Sequence, residues 1–299
     1  MKKVVITGAN SMLGISLTNY LVSQGTKVLL LVREEHIKPN SIISSPLITI
    51  VDCAMSDYST LNLPYNDFDS FIHLAWSSTT GEGRNNAEVQ EANIKYTLDA
   101  VRLASRLGCK MFLGAGSQAE YGIKVGKLKA DDYVQPVIAY GVSKFAAGKL
   151  SLILANQLGI RHCWARILSV YGPYDGPDTL INYVIKCMRN NEMPILTPCE
   201  QKWDYLYVDD AARALSMIVD KGANGKIYPI GSGKTHFLKE YINLIRDIVN
   251  PKFVIKFGLK PYNLNQVMYL CADIKELCDD VGFYPKIDFV TGINNIINN

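Results

Sequence analysis

Three residues of this chain could move a proton at neutral pH if folding brought them together: Ser117, Tyr140 and Lys144. A free phenol has a pKa of ~10 and is a poor acid–base group at pH 7. A lysine ammonium close by stabilises the phenolate and lowers that value. Tyr140 and Lys144 are four residues apart, one helical turn, so a helix carries them on one face. Pro136 before the pair and Ala146-Ala147 after it predict a helix from about Ala139. Among the 17 tyrosines this is the one Tyr-x-x-x-Lys spacing. Ser117 follows a short apolar run at 110–114, and a hydroxyl at the carboxyl end of a strand faces the crevice where open α/β sheets bind ligands.

The redox partner such a triad needs would be held further upstream. Lys3-Val4-Val5-Ile6-Thr7 reads as a buried first strand. The turn Gly8-Ala9-Asn10-Ser11-Met12-Leu13-Gly14 follows, and Leu13, Ile15, Leu17, Leu21 and Val22 then keep helical spacing. Gly8 permits a sharp turn and Gly14 a close helix–strand approach. A helix from about Ser11 would aim free N–H groups and its positive dipole end at a pyrophosphate. The second strand ends Val32-Arg33. An acidic tip there would bind ribose hydroxyls, whereas a guanidinium pairs with a 2′-phosphate. NADP(H) is therefore favoured over NAD(H), with Glu34 and Glu35 the residues that argue the other way.

These segments require an α/β fold, a Rossmann-type doubly wound parallel sheet with a smaller C-terminal substrate-binding lobe. Strands are expected at 3–7, 27–32, 47–51, 69–74, 110–114 and 161–166. The dinucleotide-binding domain is read as 1–172, with 204–225 returning to it. The substrate lobe is read as 173–203 and 226–299, with a frayed Asn-rich end at 294–299. Gly231-Ser232-Gly233-Lys234-Thr235 looks in part like a nucleoside-triphosphate loop. That motif needs a glycine five residues before its Gly-Lys, and Tyr228 stands there, so the region reads as a strand (226–230), a turn and a helix from about Phe237.

The ordered motifs Gly8 to Gly14, Asp52, His73-Leu74-Ala75, Asn93, Ser117 to Tyr121-Gly122, Tyr140-Gly141-Val142-Ser143-Lys144, Arg166 to Tyr171-Gly172-Pro173, and Trp203 to Asp210 span nearly the whole chain. With them the chain resembles an extended short-chain dehydrogenase/reductase of the NAD-dependent epimerase/dehydratase family, which mostly acts on nucleotide sugars. The resemblance implies that Ser117, Tyr140 and Lys144 are catalytic. It implies that Gly8, Asn10, Ser11, Met12, Leu13, Gly14, Arg33, Asp52, Cys53, Leu74, Ala75, Trp76 and Asn93, with Tyr140 and Lys144, bind the cofactor. Ser78, Gln118, Ser169, Tyr171 and Trp203 would bind a nucleoside-diphosphate sugar. Related 4,6-dehydratases carry an Asp-Glu pair after the active-site hydroxyl residue, and here those positions are Gln118 and Ala119, which cannot do acid–base work. The segment 117–122, with Trp203 where an Arg is common, is most similar to reductases of 4-keto-6-deoxy sugar nucleotides, enzymes of deoxysugar biosynthesis for surface polysaccharide. A 4-epimerase keeping NAD bound is the alternative. Ser11 replaces a usual middle glycine, and Ser169 a usual asparagine.

Bulk properties fit an ordinary globular enzyme. Lys+Arg 31 against Asp+Glu 28 gives +3, with no basic run to bind nucleic acid. The apolar residues after Met1-Lys2-Lys3 are too few for a secretory signal, and no apolar stretch approaches a membrane span. Seven scattered cysteines, without Cys-x-x-Cys, suit reduced thiols in a cytoplasm, and four histidines lack metal spacing. A homodimer is compatible with this composition.

Overall fold

The computed structural model describes residues 1–37, 41–263 and 266–298. Seven parallel strands form one sheet: β1 (Lys3–Thr7), β2 (Lys27–Val32), β3 (Ile48–Asp52), β4 (Ser70–His73), β5 (Met111–Ser117), β6 (Arg161–Ile167) and β10 (Ile227–Ile230). Their order is β10-β6-β5-β4-β1-β2-β3, so the winding direction reverses between β1 and β4. A crevice opens at such a reversal, beyond the carboxyl ends of the strands.

Both faces of the sheet are covered, which is why its strands are nearly continuous apolar runs. Val4, Ile6, Val28, Leu30, Ile72 and Leu113 point to one side, against α1 (Met12–Ser23) and α5 (Val208–Lys221). Val5, Leu29, Leu31, Phe71 and Phe112 alternate to the other, under α2 (Ala87–Arg106) and α3 (Ala139–Gln157). The period of two along each strand divides the core into these two layers.

A second, smaller core lies over the carboxyl end. It joins α4 (Leu180–Arg189), α6 (Leu238–Val249) and α8 (Phe289–Asn298) through Val184, Met188, Ile242, Ile245 and Ile293. Short ladders seam it to the sheet: β7 (Ser169–Tyr171) with β9 (Tyr205–Tyr207), and β8 (Lys202–Trp203) with β11 (His236–Phe237). Helix α7 (Lys275–Val281) packs on α5 and β10.

Three elements differ from the sequence expectations. β5 runs to Ser117 instead of stopping at residue 114, because Ala115 and Gly116 continue the ladder to Ala165 and Arg166. Residues 227–230, expected in the lobe, form the edge strand of the main sheet, and Pro229 is tolerated there because an edge strand has one unpaired side. The Asn-rich end is helical through Asn298, since Ile293 is buried in the small core and Arg189 Nη2 donates to the Ile297 carbonyl at 3.1 Å. Residue 299 lies outside the described residues. Among the described residues, no helix is long and apolar enough to cross a membrane.

Candidate active site

Ser117, Tyr140 and Lys144 meet where β5 ends against the first turns of α3. Gly141 makes this approach feasible, for a Cβ there would overlap the Ala119 carbonyl of the adjoining 3₁₀ turn (Gln118–Glu120). All three side chains are buried. The Ser117 hydroxyl accepts from the Ala119 N–H at 3.2 Å and is close enough to the Tyr140 phenol to act on its ionisation. Lys144 Nζ donates to the Ala115 carbonyl at 2.6 Å and lies 3.7 Å from the centre of the Trp76 ring. Burial pushes the Lys144 ammonium down to about 7, a fall that the charge of Glu120 partly opposes.

The cation against the phenol is not the one the spacing suggested. Lys144 Nζ stands 5.9 Å from the Tyr140 ring centre, whereas the Arg84 guanidinium carbon lies over the same ring at 4.7 Å. Burial raises the phenol above its ordinary value. The neighbouring Ser117 side chain and the Arg84 charge pull it back, while Glu120 raises it further. Trp76 completes the stack edge-on to Tyr140, its Nε1 donating to Gln90 Oε1 at 2.9 Å.

A fully satisfied carboxylate anchors the triad from beneath. Glu120 Oε1 accepts from the Ser117 N–H at 2.8 Å and from Trp164 Nε1 at 2.9 Å, and its Oε2 pairs with Arg166 Nε at 2.8 Å. Glu120 is 1% and Arg166 2% exposed. The carboxylate is turned into the protein, away from the cleft, and three partners occupy its two oxygens. On the β1–β4 side, buried His73 shares a hydrogen bond of 2.8 Å with Thr7 Oγ1. Burial, and then the Lys144 charge, hold its imidazole neutral, down to about 3.

Two clefts reach the side chains packed on the Tyr140 ring, one lined by Trp76 and the other by Arg84. One, of about 610 Å³, runs along the sheet reversal past Gly8, Asn10, Ser11, Arg33, Cys53, Leu74, Ala75, Trp76 and Ser78. The other, of about 640 Å³, lies under the small core and is walled by Arg84, Ser169, Tyr171, Cys199, Trp203 and Lys260 among others. Among the described residues, no group of three or more His, Cys, Asp or Glu could hold a metal ion.

Residues 4–231 match the model of the NAD dependent epimerase/dehydratase family. The chain belongs to that family. It is an extended short-chain dehydrogenase/reductase, an enzyme of the oxidoreductase type. Its similarity to CDP-abequose synthase of Salmonella muenchen is 28% identity over 99% of this chain and 97% of the relative. With dTDP-4-dehydro-6-deoxyglucose reductase of Escherichia coli it shares 26% over 78% of this chain and 75% of the relative. Among solved structures, UDP-N-acetylglucosamine 4-epimerase of Methanobrevibacter ruminantium M1 superposes with a TM-score of 0.88 at 21% identity, covering 99% of this chain and 98% of that one. That likeness is one of fold.

The cleft along the sheet reversal fits the family's dinucleotide. A Cβ on Gly8 would lie 2.7 Å from the Ala75 N–H nitrogen, and one on Gly14 would overlap the Gly8 carbonyl, so the turn leaves this space only with glycine at both positions. Ser11 caps α1, its Oγ accepting from Gly14 N at 3.0 Å and donating to the Gly8 carbonyl at 2.8 Å. That closes the turn without the usual middle glycine, and the Met12 and Leu13 N–H groups of the first helical turn have no intrahelical acceptor. Gly8, Asn10, Ser11, Arg33, Cys53, Leu74, Ala75 and Trp76 thus come together along one cleft.

Other expected site residues are placed differently. Met12 and Leu13 bring backbone to the turn, but their side chains pack into the cores. Asn93 is buried, its amide bridging the Ser77 N–H at 2.8 Å and the Ser77 carbonyl at 3.1 Å, so it holds the loop after β4. Asp52 ends β3 beside Val32. Ser78 lines the dinucleotide cleft, not the second one. Tyr171 reaches the wall of the second cleft but is almost wholly buried, its hydroxyl donating to the Phe289 carbonyl at 3.4 Å. Trp203 Nε1 donates to Ser169 Oγ at 2.7 Å, so these two form one wall together. Gln118 lies partly exposed on the 3₁₀ turn next to Ser117.

Sequence reasoning gave no role to Arg84, Gln90 or Glu120. The interval Ser117-x-x-Glu120 carries a capping-box spacing that could have revealed the last. The Gly231–Thr235 turn is also explained. The N–H groups of Ser232 and Gly233 are turned to the buried Asp204 carboxylate, at 2.7 and 3.0 Å, and not outward to a phosphate.

Proposed function

We propose that the chain is a reductase acting on a nucleoside-diphosphate 4-keto-6-deoxy sugar, with NADPH as its reductant. The observation that carries this reading is the turn after Ser117. Dehydration needs an acid and a carboxylate there, and the turn offers Gln118, a buried Ala119, and Glu120 with both oxygens engaged below the site. What remains is a proton donor, a carbonyl-polarising hydroxyl and a cation, which suffice for adding hydrogen across a ketone. The similarity to CDP-abequose synthase and dTDP-4-dehydro-6-deoxyglucose reductase supports the same class of substrate.

When bound, the nicotinamide supplies the hydride. The residues of the chain do the rest. Ser117 donates a hydrogen bond to the ketone oxygen and polarises it. Tyr140 gives its phenolic proton to that oxygen as charge develops there. Lys144 turns its ammonium to the nicotinamide ribose. Trp203 and Ser169 wall the cleft that takes the sugar nucleotide. The same triad would serve a 4-epimerase, the alternative reading. Incubation with 4-keto-6-deoxy sugars on CDP, GDP, dTDP and UDP separates the two: a reductase consumes one NADPH per product, an epimerase none.

The NADPH preference rests on Arg33, exposed at the end of β2 and on the rim of the dinucleotide cleft. Arg33→Ala is expected to weaken NADPH by roughly 1.5–3 kcal/mol, the size of a lost charged hydrogen bond, and to leave NADH nearly unchanged. Titrations by protein fluorescence measure both, and equal affinities in the unaltered enzyme would remove Arg33 from this role.

A further inference from the structure

Arg84 lies on a short 3₁₀ turn (Glu82–Asn85) between the loop after β4 and α2, a stretch with no periodic pattern. The turn is nonetheless fixed. Gln90 Nε2 donates to the carbonyls of Ser78 and Gly83, both at 3.0 Å, and the Asn86 N–H donates to Gly83 at 3.3 Å. A Cβ on Gly83 would lie 2.7 Å from the Ser78 Cβ, so the turn is docked closely on that loop. The side chain that leaves it spans two places. Its guanidinium covers the Tyr140 ring, and it also forms part of the wall of the second cleft, with Ser169 and Trp203. Its Nε is buried and has no hydrogen-bond partner among the described residues. A buried guanidinium nitrogen left unpaired is costly, and an oxygen brought in by a ligand relieves that cost.

We propose that Arg84 is a further catalytic residue, holding an oxygen of the bound sugar against Tyr140 and stabilising the negative charge left on the phenol when its proton departs. The inference rests on the reading of Tyr140 as the proton donor. Planar, permanently charged and rich in donors, a guanidinium can cover an aromatic face and still present N–H groups at its edge. The other groups that face the phenol are accounted for. Lys144, from α3, is more distant and engaged with Ala115 and Trp76. Ser117, from β5, is neutral. Glu120, from the turn after β5, is paired with Arg166 and acts in the opposite sense. Trp76, from the loop after β4, carries no charge. Arg84 is thus the cation placed to couple substrate binding to the ionisation of Tyr140.

The test uses the full chain saturated with NADPH, as the unaltered enzyme, Arg84→Gln and Arg84→Lys. Tyrosine labelled with ¹³C at the ζ carbon reports phenol ionisation, and Tyr140→Phe assigns the Tyr140 signal. Arg84→Gln is expected to move its midpoint upward by about one pH unit or more, with Arg84→Lys between the two. A midpoint unchanged by the substitution, or out of reach in every protein, overturns the proposal. In turnover with a 4-keto-6-deoxy sugar nucleotide, Arg84→Gln should lower kcat by ~10²-fold and raise KM, and leave the Kd for NADPH unchanged. Its alkaline limb should also move to higher pH, because the phenol holds its proton longer. Arg84→Lys should recover part of the rate. A fall in kcat with an unmoved limb and no recovery by lysine would mean that Arg84 merely supports the fold, and that result overturns the proposal. If the unaltered enzyme reduces no 4-keto sugar, the reductase reading fails, and the phenol titration still decides the role of Arg84.

Discussion

Tyr140→Phe is expected to lower kcat by ~10²–10⁴-fold while NADPH affinity stays nearly unchanged, because general acid catalysis contributes about that much. The substitution removes one oxygen. Trp76 and Arg84 still have an aromatic ring to pack against, and Gly141 still lets α3 close on the 3₁₀ turn. Lys144→Ala should also slow turnover, but with weaker cofactor binding, since its ammonium is assigned the nicotinamide ribose as well. It should disturb the fold more, because a buried side chain held by the Ala115 carbonyl and the Trp76 ring is lost. Steady-state kinetics with fluorescence titration of NADPH separate the two variants. Near-normal turnover by Tyr140→Phe would remove the phenol from the reaction.

The largest effect on stability is expected from Glu120→Ala. The change leaves Arg166 charged and buried without its partner, and strips the Ser117 N–H and Trp164 Nε1 of their acceptor. Breaking a buried pair by removing one member costs ~3–5 kcal/mol, which for a chain of this size corresponds to a fall in Tm on the order of 10 °C. Glu120→Gln keeps oxygen and nitrogen in the same volume and should cost less. Thermal unfolding followed by circular dichroism gives both values. Turnover should fall as well, since the carboxylate fixes the backbone from which the Ser117 hydroxyl projects. A Glu120→Ala protein as stable as the unaltered one would show that the pair adds nothing to the fold.

Much of this architecture was legible in the residues, and the reasons are physical. The first six strands are apolar runs bounded by turn residues, and both faces of a doubly wound sheet demand such runs, so their ends were placed within a few residues. Ser11 was legible as a helix start, because a serine before a helical apolar pattern is a cap. The strand at 226–230 was legible, but its place in the main sheet was not, because it contains a proline and joins a sheet whose other members lie far upstream. The end of β5 was misplaced because Ala115 and Gly116 give no apolar signal, although small residues there keep the ladder to β6.

The site was legible only in part. Tyr140 and Lys144 share a helix, so their spacing carried the information. Ser117 was found by its place at a strand end. Arg84 was hidden, since nothing local in Gly83-Arg84-Asn85 says that its guanidinium will cover a tyrosine 56 residues downstream (140 minus 84). Glu120 was hidden for a related reason. Its partners Trp164 and Arg166 lie on the neighbouring strand, and the pairing exists only once β5 and β6 are side by side. Asn93 shows the converse. It was read as a cofactor contact, and its amide is spent on the backbone of Ser77.

The central claim is that this triad delivers hydride and proton to a ketone and releases an alcohol. The most direct measurement supplies NADPH deuterated at the transferable position, with CDP- and dTDP-linked 4-keto-6-deoxy sugars, and follows product and cofactor by NMR. The expected result is one equivalent of oxidised cofactor per product, and one deuterium on the sugar carbon that bore the ketone. A product formed without net oxidation of NADPH and without deuterium at that carbon would contradict it.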